Sequence, residues 1–395
     1  MLIINRTRHL FCLALGSLTG LLFSNGVSAL EVDREVVPRI TLAGRVISTG
    51  DAKNLDSSPD DETEFNLEDS AVLLRFDKRI YSDNGVAGAV VGFKEDEDGA
   101  QQFQQLHAFF WNRDFRVTLG RTRLPNMVIE VPTLRDDDLE AYSRVGTVSS
   151  NEDFDQTYGE LLSFDWFINQ KIQSFNVWAG SRGNGDEAEF AAASDGIDSY
   201  GVGYVYEQPE DLGLVKRIRR AGVSIQRQEV NDGIEKEWVN SLIAGFEINL
   251  NTDPSKNWAL TTQAIINNGI DFVLDLSTIA SQSQADSRAI VSSVRYTARP
   301  RLLTRWHAAL SVAYKDYSDN SDASQWSVAP NVVYTLGQGV NLLGQVIYTD
   351  YDDGLFDGGR DLLFQVGISF SLESVFNDQI GERDSIMNLE HGYIQ

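Results

Sequence analysis

Asp361-Leu362-Leu363-Phe364-Gln365-Val366-Gly367-Ile368-Ser369-Phe370-Ser371-Leu372 is the stretch on which the fold turns. Its even positions, from Leu362 to Leu372, are all apolar. Its odd positions after Leu363 are Gln365, Gly367, Ser369 and Ser371. Successive side chains of a strand point to opposite faces, so this segment has one greasy face and one wet face. A soluble two-layer protein can bury such a face in a core. Here, however, segments of similar length and alternation recur through the chain, bounded by turn residues and with hardly an amphipathic helix among them. Strands of about ten residues, apolar outside and polar inside, are the signature of a transmembrane β-barrel. Asp361–Leu372 reads as the strand that closes it.

Working outward, the N-terminal residues read as a leader. Arg6 and Arg8 precede the apolar run Leu10–Phe23, and Val27-Ser28-Ala29 has the small-x-small spacing of a cleavage site. Residues 1–29 are therefore expected to be removed. Cys12, the only cysteine, goes with them, which excludes disulfides, Cys-metal sites and a Cys nucleophile from the mature chain. No later run of about 18 apolar residues offers a membrane helix. A closed barrel still satisfies every backbone group in lipid, so the chain can be integral to a membrane without a helix. The formal net charge is −25, and loss of the leader's two arginines makes it more negative. Nucleic acid needs a basic footprint and is not an expected partner.

About sixteen antiparallel strands are expected between residues 30 and 372. They are Arg39–Ser48, Asn66–Tyr81, Val86–Glu95, Gln101–Trp111, Phe115–Arg121, Gln156–Ile168, Ile172–Gly180, Ile197–Glu207, Val215–Gln228, Glu235–Asn249, Asn257–Asn268, Asp286–Ala298, Leu302–Tyr317, Trp326–Thr335, Val340–Asp350 and the closing strand. Long connections follow odd-numbered strands, whereas most even-numbered connections are short, as when periplasmic turns are short and outer loops long. Tyr158, Phe164, Trp166, Tyr200, Tyr204, Tyr206, Trp326, Tyr334 and Tyr348 tend to fall on the apolar face, where aromatic belts meet the lipid interfaces.

Opposite those apolar faces lie charges expected to line the lumen: Arg45; Arg75, Asp77 and Arg79; Arg116; and Arg305, His307 and Lys315. A charge turned to lipid near the midplane costs about 2–4 kcal/mol, which fixes the phase. The basic cluster Lys216, Arg217, Arg219 and Arg220 reads as a solvated strand end.

The segment Val117-Thr118-Leu119-Gly120-Arg121-Thr122-Arg123-Leu124-Pro125, a strand ending in Gly-Arg before the longest non-strand stretch, resembles the Gram-negative outer-membrane porins. The resemblance extends over nearly the whole mature chain. It implies a water-filled channel for passive diffusion of small hydrophilic solutes and ions, and a trimer. It also implies that the loop after strand five, Thr122–Asp155, folds into the lumen and narrows it. That loop carries Glu130, Arg135, Asp136, Asp137, Asp138 and Glu140. Together with Arg45, Arg75, Arg79, Arg116 and Arg305 they are the candidate constriction. Arginines facing carboxylates across a narrow lumen give a transverse field that selects polar, ionic solutes. The alternative is that these pairs merely hold the loop in place. Two departures stand out: the loop lacks a Pro-Glu-Phe-Gly-Gly-like turn, and the chain does not end on an aromatic residue.

Two other classes remain open, a barrel with a plugged lumen serving a structural or adhesin role, and an outer-membrane hydrolase. No G-x-S-x-G or H-E-x-x-H pattern accompanies His107, His307 or His391, so no catalytic residue, cofactor or metal ligand is expected. Lipid and lipopolysaccharide are the surroundings such a barrel implies. The tail, residues 373–395, is expected on the periplasmic side, with Ile386–Ile394 docking onto a periplasmic partner.

Overall fold

The computed structural model describes residues 39–55, 63–67, 70–80, 85–95, 101–123, 158–168, 172–181, 197, 199–208, 217–231, 236–251, 253, 255–268, 287–298, 305–317, 324–337, 339–351 and 359–376. These form strands β1 (Arg39–Leu55), β2 (Thr63–Asn66), β3 (Ala71–Ile80), β4 (Gly85–Glu95), β5 (Gln101–Trp111), β6 (Phe115–Arg123), β7 (Tyr158–Ile168), β8 (Gln173–Ser181) and β9 (Ser199–Glu207). The chain continues through β10 (Ile218–Asn231), β11 (Lys236–Asn249), β12 (Lys256–Asn268), β13 (Ser287–Ala298), β14 (Arg305–Tyr317), β15 (Ser324–Gly337), β16 (Val340–Tyr351) and β17 (Arg360–Phe376). Among the described residues there is no helix.

From β3 onward each strand pairs antiparallel with the next in sequence, and β1 pairs with both β3 and β17. The sheet therefore has no free edge. It is a closed barrel of sixteen staves, because β2 and β3 share one position beside β1. The sequence pattern places a single strand at Asn66–Tyr81, and the observed break within that stave has a local cause. Thr49 pairs with Asn66 and Arg45 with Ala71, so β1 spends one residue fewer across the interval. The Ser70 hydroxyl fills the gap, accepting from the Ile47 amide at 3.1 Å and donating to the Ile47 carbonyl at 3.2 Å. A side chain thus substitutes for two rungs of the backbone ladder.

The closing strand is longer than its alternation suggests. Its register with β1 runs unbroken from Ile40↔Phe376 to Leu55↔Asp361, so residues 373–376 belong to the wall. Leu362, Phe364, Val366, Ile368, Phe370 and Leu372 are all 45–50% exposed on the outside, while Gln365 and Ser369 are buried within. The expected outward aromatics Phe164, Trp166, Tyr200, Trp326 and Tyr334 are exposed as well. The described turns use side chains to satisfy backbone amides. Asn112 Oδ1 accepts from the amides of Asp114 and Phe115, both at 2.8 Å. In the turn after β11, Asp253 accepts from the hydroxyl and amide of Ser255, and these bonds hold its carboxyl below the usual range.

Candidate pore lining

The inward faces of β1 and β3 build a charged hub. Arg39 and Asp77 are register partners, and Arg39 donates through Nε and Nη2 to both carboxylate oxygens at 2.8 Å. Arg75 approaches the same carboxylate from two residues away, its Nε 2.6 Å from Oδ2, a charge contact whose angle falls outside a hydrogen bond. The Arg75 guanidinium lies 4.7 Å over the Phe109 ring on β5. That ring fits because Gly88 on β4 has no side chain; a Cβ there would sit 2.6 Å from Phe109 Cζ. All three charged groups are buried. Ala43, Leu73, Val86, Val90 and Phe109 form an apolar bed beside them.

Of the expected constriction residues, Arg45 and Arg75 are inward and buried. Arg45 stands opposite Ala71 and Ser371, away from the hub. Arg116 is inward at the short-turn end, its side chain 44% exposed, and donates to Asp165 on β7 at 2.9 Å. Arg305 opens β14 on the inward side, away from the hub. His307 and Lys315 follow on the same face and are buried. Arg79 has an inward position on β3, but its side chain lies outside the described residues, as do Glu130, Arg135, Asp136, Asp137, Asp138, Glu140 and most of residues 122–155. The leader, Lys216 and the tail beyond Phe376 also lie outside them.

Sequence reasoning missed several lining features. Arg39 was not singled out, because one charge at a strand start carries no periodic signal. Glu247 is a second hub, accepting from Arg219 at 3.1 Å and Arg295 at 2.8 Å. So the cluster read as a solvated strand end has two described members near carboxylates of the wall, Arg219 at Glu247 and Arg220 4.0 Å from Glu207. The lining is also less polar than a simple alternation rule implies. Ile243, Ile265, Val291 and Ile347 face inward and are buried with Ala289, Ala313 and Ala329. Between them run polar rungs: Asn331 donates to Gln345 at 3.4 Å, Gln345 to Gln365 at 3.0 Å, and Asn341 to Ser369 at 3.1 Å.

No family model and no curated protein matches the sequence. Solved structures do match in shape. The anion-selective porin from Comamonas acidovorans superposes with a TM-score of 0.60 at 15% identity, covering 85% of this chain and 100% of that one. The fold is that of the outer-membrane porins. The outer membrane channel DcaP of Acinetobacter baumannii superposes with a TM-score of 0.58 at 12% identity, over 85% of this chain and 97% of its own. A trimer form of OmpT from Vibrio cholerae gives 0.57 at 10% identity, over 85% and 100%. A porin barrel places its staves across the membrane, and the exposed apolar outer face of this chain has the same character.

Proposed function

We propose that this protein is an outer-membrane channel through which small hydrophilic solutes and ions diffuse passively, with a preference for anions. One observation carries the preference. On the described inward faces of β1 and β3 to β7, the four arginines Arg39, Arg45, Arg75 and Arg116 outnumber the two buried carboxylates they meet there, Asp77 and Asp165. A low-dielectric wall with that imbalance attracts anions into the lumen. Barrels of about sixteen strands are wide enough for an aqueous channel. In this reading residues 122–155 fold inward and set the constriction, with Glu130, Arg135, Asp136, Asp137 and Asp138 facing Arg45, Arg75, Arg79, Arg116 and Arg305. Residues 1–29 serve as the cleaved leader. Three copies associate in a bilayer of lipid and lipopolysaccharide, a state supported by the trimer form of the OmpT neighbour. The tail meets a periplasmic partner through Ile386–Ile394.

The test is reconstitution in a planar bilayer under a potassium chloride gradient. The expected result is discrete conductance steps with a reversal potential on the anion-selective side. Asp136, Asp137 and Asp138 changed together to Asn should move it further that way. A cation-selective wild type overturns the preference, and an unmoved potential in the triple variant puts that loop outside the pore.

A barrel with an occluded lumen has one observation in its favour. Inward Ile243, Ile265, Val291 and Ile347 are screened from water, which a fully wet wall would not do. Folded protein that gives no steps in the same experiment would decide for that reading.

A further inference from the structure

The described inward charges are not spread evenly along the lumen. They crowd at the short-turn end, where β5 passes into β6 through residues 112–114 and β11 into β12 through residues 250–255. The four arginines and two carboxylates of β1 and β3 to β7 lie there, and the farthest from that end is Arg45, the seventh residue of β1. Across the barrel, the same end of β9 to β14 carries Arg219, Arg220, Arg295 and Arg305 against Glu207 and Glu247. Counted over the described inward side chains of the strands, that end holds eight arginines and four carboxylates, a surplus of four positive charges.

The opposite end, where the longer connections lie, is different. Its described inward strand charges are Lys315 and Asp361, which cancel. The stretch between is uncharged on whole staves. β8 and β9 present Asn176, Trp178 and Gly180, then Ser199, Gly201 and Gly203, and the single charge of the two strands is Glu207 at the short-turn end. In sequence the longer connections tend to be acidic. Residues 56–62 hold three aspartates and one glutamate with no lysine or arginine, and aspartate is the sole charged residue type in 318–323 and 352–359. The path through the barrel therefore runs from an acidic mouth, through a neutral stretch, to a basic zone.

Such an order makes the two directions of current unequal. Mobile ions in the basic zone are mostly anions, because its field excludes cations. When the voltage drives anions out of that zone toward the long-loop end, cations travelling the other way are stopped at its border. Ions of both signs then gather in the neutral stretch and raise its conductance. Under the opposite voltage, anions are resupplied only past the acidic mouth and cations only through the basic zone. Neither is replenished, and the neutral stretch is depleted. The effect needs a lumen within reach of its wall charges, a reach of about 10 Å at 0.1 M salt and about 3 Å at 1 M.

We propose that the channel rectifies, carrying more current when anions move from the short-turn end to the long-loop end than when they move back. The proposal rests on the channel reading above and adds a polarity to it, set by Arg219, Arg220 and Arg295 as much as by the wall of β1 and β3 to β7.

The test uses full-length protein as single channels in planar bilayers, with equal potassium chloride on both sides. Currents at equal and opposite voltages are read immediately after each step, before any slow closure. At about 0.1 M salt they should differ about twofold, and at about 1 M they should be equal, because the wall charges are then screened within the lumen. Asp253→Cys, in the exposed turn at the basic end, lets a thiol-reactive polyethylene glycol added to one chamber show which way each channel is inserted. Arg219→Gln with Arg220→Gln removes half of the surplus while Arg295 still holds Glu247, and should bring the current ratio about halfway to unity. Heat-modifiable mobility on gels shows that the double variant is folded, and the salt series on the wild type stands without it. Equal currents at about 0.1 M, a difference undiminished at about 1 M, the larger current in the opposite sense, or a folded double variant with the wild-type ratio each overturns rectification while the channel stands. Folded wild type that carries no current overturns the channel reading, and rectification with it.

Discussion

On β1 and β3 the described lining brings three buried charges together, where Arg39 and Arg75 share the Asp77 carboxylate. On β15 to β17, just across the seam with β1, the lining is serine, threonine, asparagine and glutamine interleaved with Val333, Leu343, Ile347 and Leu363. Both walls are buried, but they are held differently. The first concentrates its electrostatics in one group whose loss removes the carboxylate that two cations share. The second spreads modest hydrogen bonds over many rungs, each able to fail alone. Proximity of buried charge, and not its amount, therefore sets how sensitive a stretch of wall is to one substitution.

The sharpest test of that difference is Asp77→Asn. Removing one partner of a buried ion pair costs about 3–5 kcal/mol, because the surviving charge stays desolvated. Urea unfolding in detergent micelles, followed by loss of the heat-modifiable form, should show a loss of that order. A midpoint within error of the wild type would mean that other groups hold the arginines and that Asp77 is no hub.

Gln345→Ala asks the same of the other wall. It removes the acceptor of Asn331 and the donor to Gln365 at once. A buried group left unsatisfied costs about 1–3 kcal/mol, so the effect should fall below that of Asp77→Asn. Changing Gln345 and Gln365 together to Leu removes the need as well as the partner for that pair, so only the Asn331 amide loses an acceptor and the double variant should be less damaged than the single one. If the double variant is as damaged as the single one, the rungs act as a connected network and the contrast between the walls weakens.

Most of the barrel could be read from period-two alternation, because lipid punishes a misplaced strand phase. Leu362 to Leu372 outside, and Arg45, Arg75 and Arg116 inside, sit where the pattern puts them. Alternation does not record which inward residues meet. Asp77 was seen as a lining charge, but its pairing with Arg39 spans 38 residues and exists only through register. Trp178 was invisible for a related reason: a lone inward aromatic between Val177 and Ala179 carries no periodic signal, and its place depends on Gly201 one stave away. The inward isoleucines escaped notice because the wet face was defined by its polar members.

Ser70→Ala probes the boundary between the walls, where β2 and β3 share a stave beside β1. The hydroxyl makes two bonds to the Ile47 backbone, and in a partly buried position their loss should cost about 1–2 kcal/mol. Hydrogen exchange at the Ile47 amide should accelerate while that of Arg45, opposite Ala71, stays slow. Uniform acceleration along β1 would show that the break in the stave is not pinned by this side chain.

Arg360→Ala should have the smallest effect, and its smallness is informative. On the outer face of β16 and β17, Arg360 donates to Asp350 Oδ1 at 3.0 Å, beside the Trp326 indole N–H on Oδ2 and the Tyr348 hydroxyl on Oδ1. The chemistry is that of Arg39 and Asp77, an arginine Nε on an aspartate oxygen at nearly the same distance. The environment is opposite, since the Arg360 side chain is 71% exposed. Exposed ion pairs contribute about 0.2–1 kcal/mol and are screened by salt. Losing Arg360 should lower the unfolding midpoint slightly at low ionic strength and not at all near molar salt, and Asp350 keeps its Trp326 and Tyr348 donors throughout. Asp77→Asn should keep most of its cost in the same salt series, because buried charges are poorly screened. If the two variants respond to salt alike, burial is not what separates them, and the distinction between a hub and a surface pair fails.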